Sequence, residues 1–165
     1  AISKTKLSLL NLNLLIKDRK YKTVLEIGTS NGYSGLHLAK ALKQTKGRLY
    51  TMESHKERFL LARKNFKRAQ LNKYITQIFG HAPEKIPKTP GRFDMAFFDA
   101  TKYEHLSYFE TIKNRVKKGG VIVTDNINSH RKELANYIKI VKNTEGWKSY
   151  ELKLGTGLLL SIKIN

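Results

Sequence analysis

Along the chain, stretches with apolar residues at helical spacing alternate with short apolar or β-branched runs, and the alternation repeats to the C-terminus. Residues 4–17 carry Leu7, Leu10, Leu14 and Leu15 at helical spacing, which predicts an amphipathic helix with those leucines inward. After a polar link, Thr23-Val24-Leu25-Glu26-Ile27 reads as a strand running into a glycine-bearing loop. Residues 32–43 return to helical spacing through Tyr33, Leu36, Ala39 and Leu42, and Gly47 stops them. Residues 48–52 read as a strand, 55–70 as a helix with Phe59, Ala62, Phe66 and Ala69 on one face, and 74–79 as a strand. A proline-punctuated stretch, 83–90, precedes the apolar run 93–98, which has the character of a strand buried on both faces. Then come a helix over 105–116, a strand over 120–124, and a helix over 129–142 with Leu134, Tyr137, Ile138 and Val141 inward. Two strand-like runs, 147–152 and 158–164, close the chain around Gly155-Thr156-Gly157, and so short a connection favours an antiparallel pair.

Strands alternating with helices predict an α/β fold, a doubly wound parallel sheet covered on both faces. In such sheets ligands bind outside the carboxyl ends of the strands, at the switch point of the topology. The residues placed there are Gly28 to Gly32, Glu53, Gly80 to Ala82, Asp99 to Lys102, and Asp125 with Asn126. No internal repeat, low-complexity tract or linker divides the 165 residues, so a single domain is expected over 1–165.

Composition narrows the picture. The absence of cysteine excludes disulfides, thiolate catalysis and cysteine metal sites, and is compatible with a cytoplasmic protein. No apolar run approaches the roughly 20 residues of a membrane span, and the opening residues carry charge without a cleavage pattern. The chain starts at Ala1 rather than Met, as a processed or trimmed chain would. Thirty-two Lys and Arg against thirteen Asp and Glu give a net charge of +19, a balance that favours anionic partners, nucleic acid first. Lys56, Arg63, Lys64, Lys67 and Arg68 form one basic set, and Lys113, Arg115, Lys117 and Lys118 another. The first set falls opposite an apolar helix face, the ordinary solvated arrangement. An RNA-binding surface is the other reading.

Three features carry chemistry. Glycines at 28, 32 and 35 join the first strand to the first helix after it, where they let backbone N–H groups approach a ligand; a tight structural turn explains them as well. Glu53 ends the second strand, about 20 residues past the loop, where an acid grips ribose hydroxyls in such folds; an acid favoured by a helix N-terminus is the alternative. Asp99 ends the fourth strand and Asp125-Asn126 the fifth. Two carboxylates and an amide carbonyl there suit Mg²⁺, Ca²⁺ or Mn²⁺, unless Asp125 only caps the next helix.

The runs Val24-Leu25-Glu26-Ile27-Gly28-Thr29-Ser30-Asn31-Gly32-Tyr33-Ser34, Thr51-Met52-Glu53, Phe93 to Lys102 and Gly119 to Asn126 closely resemble the cation-dependent O-methyltransferase family, which includes catechol and caffeoyl-CoA O-methyltransferases. Leu154-Gly155-Thr156-Gly157-Leu158 is similar to that family's closing hairpin. The resemblance implies a Rossmann-like class I methyltransferase of about seven strands, the last antiparallel, using S-adenosylmethionine and a divalent cation, Mg²⁺ foremost. It implies a cofactor site of Glu26, Gly28, Gly32, Ser34, Glu53, Ala82 and Asp99, metal ligands Asp99, Asp125 and Asn126, and Lys102 as the catalytic base, a role that needs a lowered lysine pKa. Two positions depart from the family: His81, where relatives carry Asp or Asn beside the adenine, and His105, where they carry Tyr. Neither histidine has the spacing of a zinc ligand. Relatives also carry N-terminal helices that roof the substrate and contribute to a dimer, and this chain begins where the last of them starts.

The leading expectation is metal-dependent methylation of a hydroxyl on a small catechol-like aromatic. Two others stand beside it: O-methylation of a hydroxylated tRNA base, which the charge would serve, and a catalytically weak cofactor-binding module. A homodimer is a further expectation from the resemblance, one that depends on the N-terminal helices of the relatives.

Overall fold

A computed structural model describes residues 4–165, with the side chains of residue 6 and of residues 8–165. Helix α1 (Lys4–Asp18) leads to β1 (Thr23–Ile27), α2 (Tyr33–Thr45), β2 (Arg48–Glu53), α3 (Lys56–Arg68), β3 (Ile75–Phe79) and a short α4 (Ala82–Lys85). Then follow β4 (Phe93–Phe98), α5 (His105–Ile112), β5 (Val116–Thr124), α6 (Arg131–Lys142), β6 (Trp147–Leu152) and β7 (Leu158–Lys163). The strands form one seven-stranded sheet in the order β3-β2-β1-β4-β5-β7-β6. The first five pair in parallel, and β7 runs antiparallel to both β5 and β6. The chain reverses its winding direction between β1 and β4, which makes that gap the switch point. No helix among the described residues is long and apolar enough to cross a membrane.

Strands β1 and β4 and the second half of β5 are buried on both faces, and their side chains alternate between two cores. Leu25, Ile27, Ala96, Phe98 and Ile122 join Phe109, Tyr137 and Val141 on one side. Val24, Met95, Phe97 and Val123 join Leu38, Leu42, Ala62 and Phe66 on the other.

The inward face of α1 differs from the one expected. Leu9, Leu12 and Ile16 are buried, whereas Leu10 and Leu14 are exposed, Leu15 is half-buried, and Leu7 lies outside the described side chains. Leucine stands on nearly every side of this helix, so its packing against α2 selects the face. In α2, Ala39 and Leu42 are buried as expected, while Tyr33 is exposed and Leu38 takes a place in the core. Ala69 lies beyond the end of α3 and is exposed.

Helix α5 also stops earlier than its pattern suggests. A 3-10 turn at Lys113–Arg115 follows it, and β5 begins at Val116. Its pairing with β4 shifts register between Phe93 and Met95. At this irregularity the Asp94 carboxylate accepts the N–H groups of Lys22 and Thr23 at 2.8 and 3.0 Å and pairs with Lys117 at 3.0 Å, tying the start of β1 to β5.

Candidate active site

The loop after β1 passes directly over the end of β4. Gly28 has φ +100, and a Cβ on it would collide with the backbone carbonyl of Asp99, so a side chain is excluded on two counts. Gly28 and Thr29 donate their N–H groups to the Met52 carbonyl, each at 3.0 Å, which sets the loop against the end of β2. Ser30 is held at φ +50, a costly conformation for a side-chain-bearing residue and one concentrated at functional loops.

The Glu53 carboxylate anchors that loop. Its Oε2 accepts from Ser30 N at 2.8 Å and its Oε1 from His55 N at 2.9 Å. Glu53 borders a cleft with Gly28, Gly80, His81, Ala82 and Thr101. Each carboxylate oxygen keeps lone-pair capacity for a diol offered from the cleft.

Glu26 lies beneath the loop and is fully buried. Ser34 Oγ donates to one of its oxygens, and Thr51 Oγ1 donates to the other at 2.7 Å. Burial is the main cause of a pKa raised to about 7; those two hydrogen bonds oppose it, and the nearby Asp99 and Glu53 charges add to it. Glu26 therefore braces the first turn of α2 against β2. Gly32 caps α2 at φ +90, where a Cβ would press on the Phe66 ring; it seats α3 and does not border the cleft. Ala82 opens α4 and borders the cleft.

Beside the cleft, at the ends of β4 and β5, the expected oxygen donors come together. Asp99 Oδ1 accepts from Asn126 Nδ2 at 2.7 Å and from Lys102 Nζ at 3.1 Å. Asp125 Oδ1 accepts from Asn126 N at 2.7 Å. Burial, with the Asp99 charge adding to it, holds the Asp125 pKa above the usual carboxylate range, while the Asn126 N–H and the Thr156 hydroxyl oppose that shift. Asn126 occupies the left-handed region at φ +63, which aims its amide back at Asp99.

Sequence reasoning missed Thr156. From the turn between β6 and β7, its hydroxyl donates to Asn126 Oδ1 at 2.7 Å and to Asp125 Oδ1 at 3.2 Å. The only signal was Gly155-Thr156-Gly157 between two strands; the antiparallel return of β7 along β5 brings that turn to the site.

The donor set fits a hard divalent cation: two carboxylates and a carboxamide on adjacent strand ends, with a hydroxyl behind them. A half-turn of the Asn126 amide would present Oδ1 beside Asp99, and the Thr156 hydroxyl can serve either orientation, accepting as readily as donating. Among the described residues no three His, Cys, Asp or Glu side chains gather to hold a metal; this set has two carboxylates and takes its third donor from an amide.

The two histidines go elsewhere. His81 Nε2 hydrogen-bonds Glu104 at the cleft margin, and Tyr108 OH donates to the other Glu104 oxygen at 2.8 Å. That chain of three residues was also not foreseen, and the hydrogen bond to Glu104 raises the His81 pKa. His105 is buried among the rings of Phe98, Tyr108 and Tyr137. Its Nδ1 bonds the Thr101 carbonyl at 3.0 Å, while Nε2 has no hydrogen-bond partner among the described residues. Burial lowers its pKa to about 4.

Comparison with known proteins identifies the family. A family model described as O-methyltransferase matches residues 2–144. A catechol O-methyltransferase of Niastella koreensis is 36% identical over 120 residues, covering 70% of this chain and 54% of that protein. Another from Mycobacterium tuberculosis is 34% identical over 107 residues, covering 64% and 48%. The chain thus spans about half the length of the curated relatives it matches. Among solved structures, the O-methyltransferase TomG from Streptomyces achromogenes, in complex with S-adenosylmethionine, superposes with a TM-score of 0.88 at 25% identity, over 100% of this chain and 82% of that one. An O-methyltransferase from Bacillus cereus shares the fold at a TM-score of 0.86 and 24% identity, over 99% and 82%. The match over residues 2–144 takes in the Gly28 loop, Glu53 and the Asp99–Asp125–Asn126 cluster, and the chain belongs to the O-methyltransferase family.

Proposed function

We propose that this chain is an S-adenosylmethionine-dependent O-methyltransferase domain that methylates a hydroxyl of a small vicinal-diol aromatic. The observation that carries the reading is the meeting of Asp99, Lys102, Asp125 and Asn126 immediately beside a cleft bordered by Gly28 and Glu53. Relatives named catechol O-methyltransferase support the acceptor class.

Glu53 binds the ribose diol, the backbone at Gly28 lets the cofactor lie close to the sheet, and Ala82 borders the adenine end. A divalent cation, Mg²⁺ foremost, held by Asp99, Asp125 and Asn126 would lower the pKa of an acceptor hydroxyl and fix its direction. Lys102 Nζ, which donates to Asp99 here, would take the hydroxyl proton as its neutral amine. The acceptor oxygen then attacks the methyl carbon in line with sulfur: the O–C bond forms, the S–C bond breaks, and its electron pair leaves on sulfur as a neutral thioether. Aligning the reacting atoms is the larger part of what the protein contributes, since orientation can supply several kcal/mol of the barrier, roughly 7–11 in well-aligned intramolecular cases.

The test is methyl transfer from labelled S-adenosylmethionine to a catechol panel and to unmodified tRNA, with Mg²⁺ and with EDTA. Label in catechol that EDTA abolishes is expected. The Asp125→Ala variant is expected to lose transfer by about a hundred- to a thousandfold, the range for loss of one pre-organised electrostatic group, with cofactor affinity by calorimetry within about threefold of wild type. Full activity in that variant would sink the metal-site assignment, and label confined to tRNA would replace the acceptor class.

A further inference from the structure

Parallel strands give the sheet two unlike edges. The carboxyl edge carries Glu26, Glu53, Asp99 and Asp125, together with Glu104 at the cleft, out of thirteen acids in the chain. At the amino edge, where β1, β2 and β3 begin and α2 ends, an open groove is lined by Lys22, Lys43, Lys46, Arg48, Lys73 and Tyr74, with no carboxylate among its lining residues. All five cations are exposed. None of them takes part in an ion pair found among the described residues.

The floor of the groove is built by bonds that fix the backbone carrying the cations and the side chain of Arg48. Arg48 N donates to the Lys22 carbonyl at 2.7 Å, and Thr45 Oγ1 donates to the Tyr21 carbonyl at 2.7 Å. A Cβ on Gly47 would clash with the Lys22 backbone, so only glycine lets the two loops close this tightly. The Arg48 guanidinium is pinned to Thr76 Oγ1 at 3.0 Å and to the Lys73 carbonyl at 3.1 Å. Lys46 keeps a long cationic side chain at φ +57, a position where glycine costs less.

The cations do not converge on one point. Lys22, Arg48 and Lys73 stand at or just before the starts of three adjacent strands, whose backbones lie about 4.8 Å apart, and Lys43 and Lys46 flank them at the end of α2; so extended a set suits a chain of phosphates better than a single anion. Tyr74 adds an aromatic face, with Lys73 Nζ 5.4 Å above its ring, and base stacking beside a basic groove is how single strands are held without sequence preference. A lipid surface would call for protruding apolar side chains, and this concave lining has none.

We propose that the amino-edge groove binds the phosphate backbone of single-stranded nucleic acid, as an anchoring surface separate from the methyl-transfer site. The basic sets on α3 and around α5 are not needed for it, and it stands independently of the catalytic reading.

The test is fluorescence anisotropy of a labelled single-stranded RNA oligonucleotide with the wild-type chain, without cofactor. Five phosphate contacts give a slope of log K against log salt of about −3.5, or about a hundredfold loss of affinity over a fourfold rise in salt. A variant with Lys22, Lys43, Lys46 and Lys73 each replaced by Gln keeps Arg48 and its bracing bonds. Its slope is expected to be shallower by about 3, with at least tenfold weaker binding at the lowest salt. A control with Lys88, Lys118, Lys139 and Lys148 replaced by Gln has the same net charge and is expected to stay within about threefold of wild type. Equal losses in both variants would reduce the effect to net charge and overturn the proposal, as would unchanged binding in the groove variant. Tighter binding to phosphatidylserine vesicles that vanishes in the groove variant would transfer the groove to a membrane. Photo-crosslinks in the wild-type chain add a readout free of mutation: they should map to the peptide carrying Lys73 and Tyr74, and crosslinks confined to α6 would overturn the assignment.

Discussion

Replacing His105 by Phe is expected to change how stability depends on pH while leaving stability near neutrality close to wild type. In the native protein the imidazole is enclosed by rings and its pKa is lowered to about 4 from 6.5, chiefly by burial. Above about pH 6.5 the ring is neutral in both the folded and unfolded chains, so it adds no slope. Between about 6.5 and 4 the unfolded chain takes a proton that the folded one refuses, so stability falls as pH falls. A shift of about 2.5 units at about 1.4 kcal/mol each is about 3 kcal/mol lost across that window. Phenylalanine removes this term. It also removes the unpartnered buried Nε2, worth about 1–3 kcal/mol, against the loss of the bond to the Thr101 carbonyl, worth about 1.

Glu26 works with the opposite sign, which makes the experiment sharper. Its folded pKa is raised to about 7 from 4.5, mainly by burial. Between those values the unfolded chain has released a proton that the folded chain retains, so acidification stabilises the fold, again by about 3 kcal/mol. From these two groups together the wild type is nearly flat between about pH 6.5 and 4.5. His105→Phe should become more stable relative to wild type on acidification, and Glu26→Gln less stable. Urea unfolding followed by circular dichroism at about pH 7, 6, 5 and 4.5 measures this. A His105→Phe curve parallel to that of wild type would refute the reasoning.

Other changes test single contacts. Gly28→Ala places a Cβ against the Asp99 carbonyl at a left-handed φ; a drop of at least ten degrees in melting temperature and loss of cofactor binding by calorimetry are expected. Glu53→Ala removes the anchor of Ser30 and His55 along with the ribose acceptor, and should weaken S-adenosylmethionine about 10–100-fold, the range for one charge-assisted hydrogen bond. Thr156→Val keeps the shape but removes the hydroxyl behind Asp125 and Asn126. The Mg²⁺ concentration for half-maximal transfer should rise about 10–100-fold, as loss of outer-shell support does, with the cofactor dissociation constant unchanged.

The alternation of apolar runs revealed the sheet and the ends of its strands because a parallel strand buried on both faces cannot hide its pattern. The rule that ligands lie at carboxyl ends then singles out Gly28, Glu53, Asp99 and Asp125 in the sequence. Other features were illegible for definite reasons. Leucine on nearly every side of α1 leaves its inward face to be decided by α2. The exposed start of β5, Lys117 to Gly119, is polar, and only its pairing across a register shift makes it a strand. Thr156 and Asn126 are 30 residues apart, and His81 and Glu104 are 23 apart; local spacing says nothing of either meeting.

The same polarity that concentrates the chemistry also sorts the charge. Helices in this fold begin at the carboxyl edge of the sheet and end at the amino edge, so their dipoles favour acids at the first and bases at the second, by about 0.3–1 kcal/mol per group. That accounts for Lys43 within the last turn of α2 and for Lys46 just past it. It does not reach Lys22, four residues beyond α1, or Lys73, five residues beyond α3, because the effect fades within a turn. Lys73 therefore stands where neither helix dipole nor any carboxylate of the groove lining favours it. Lys22 has only Asp94 nearby, a carboxylate already engaged by two backbone N–H groups and by Lys117. Those are the positions at which an external anion has most to offer.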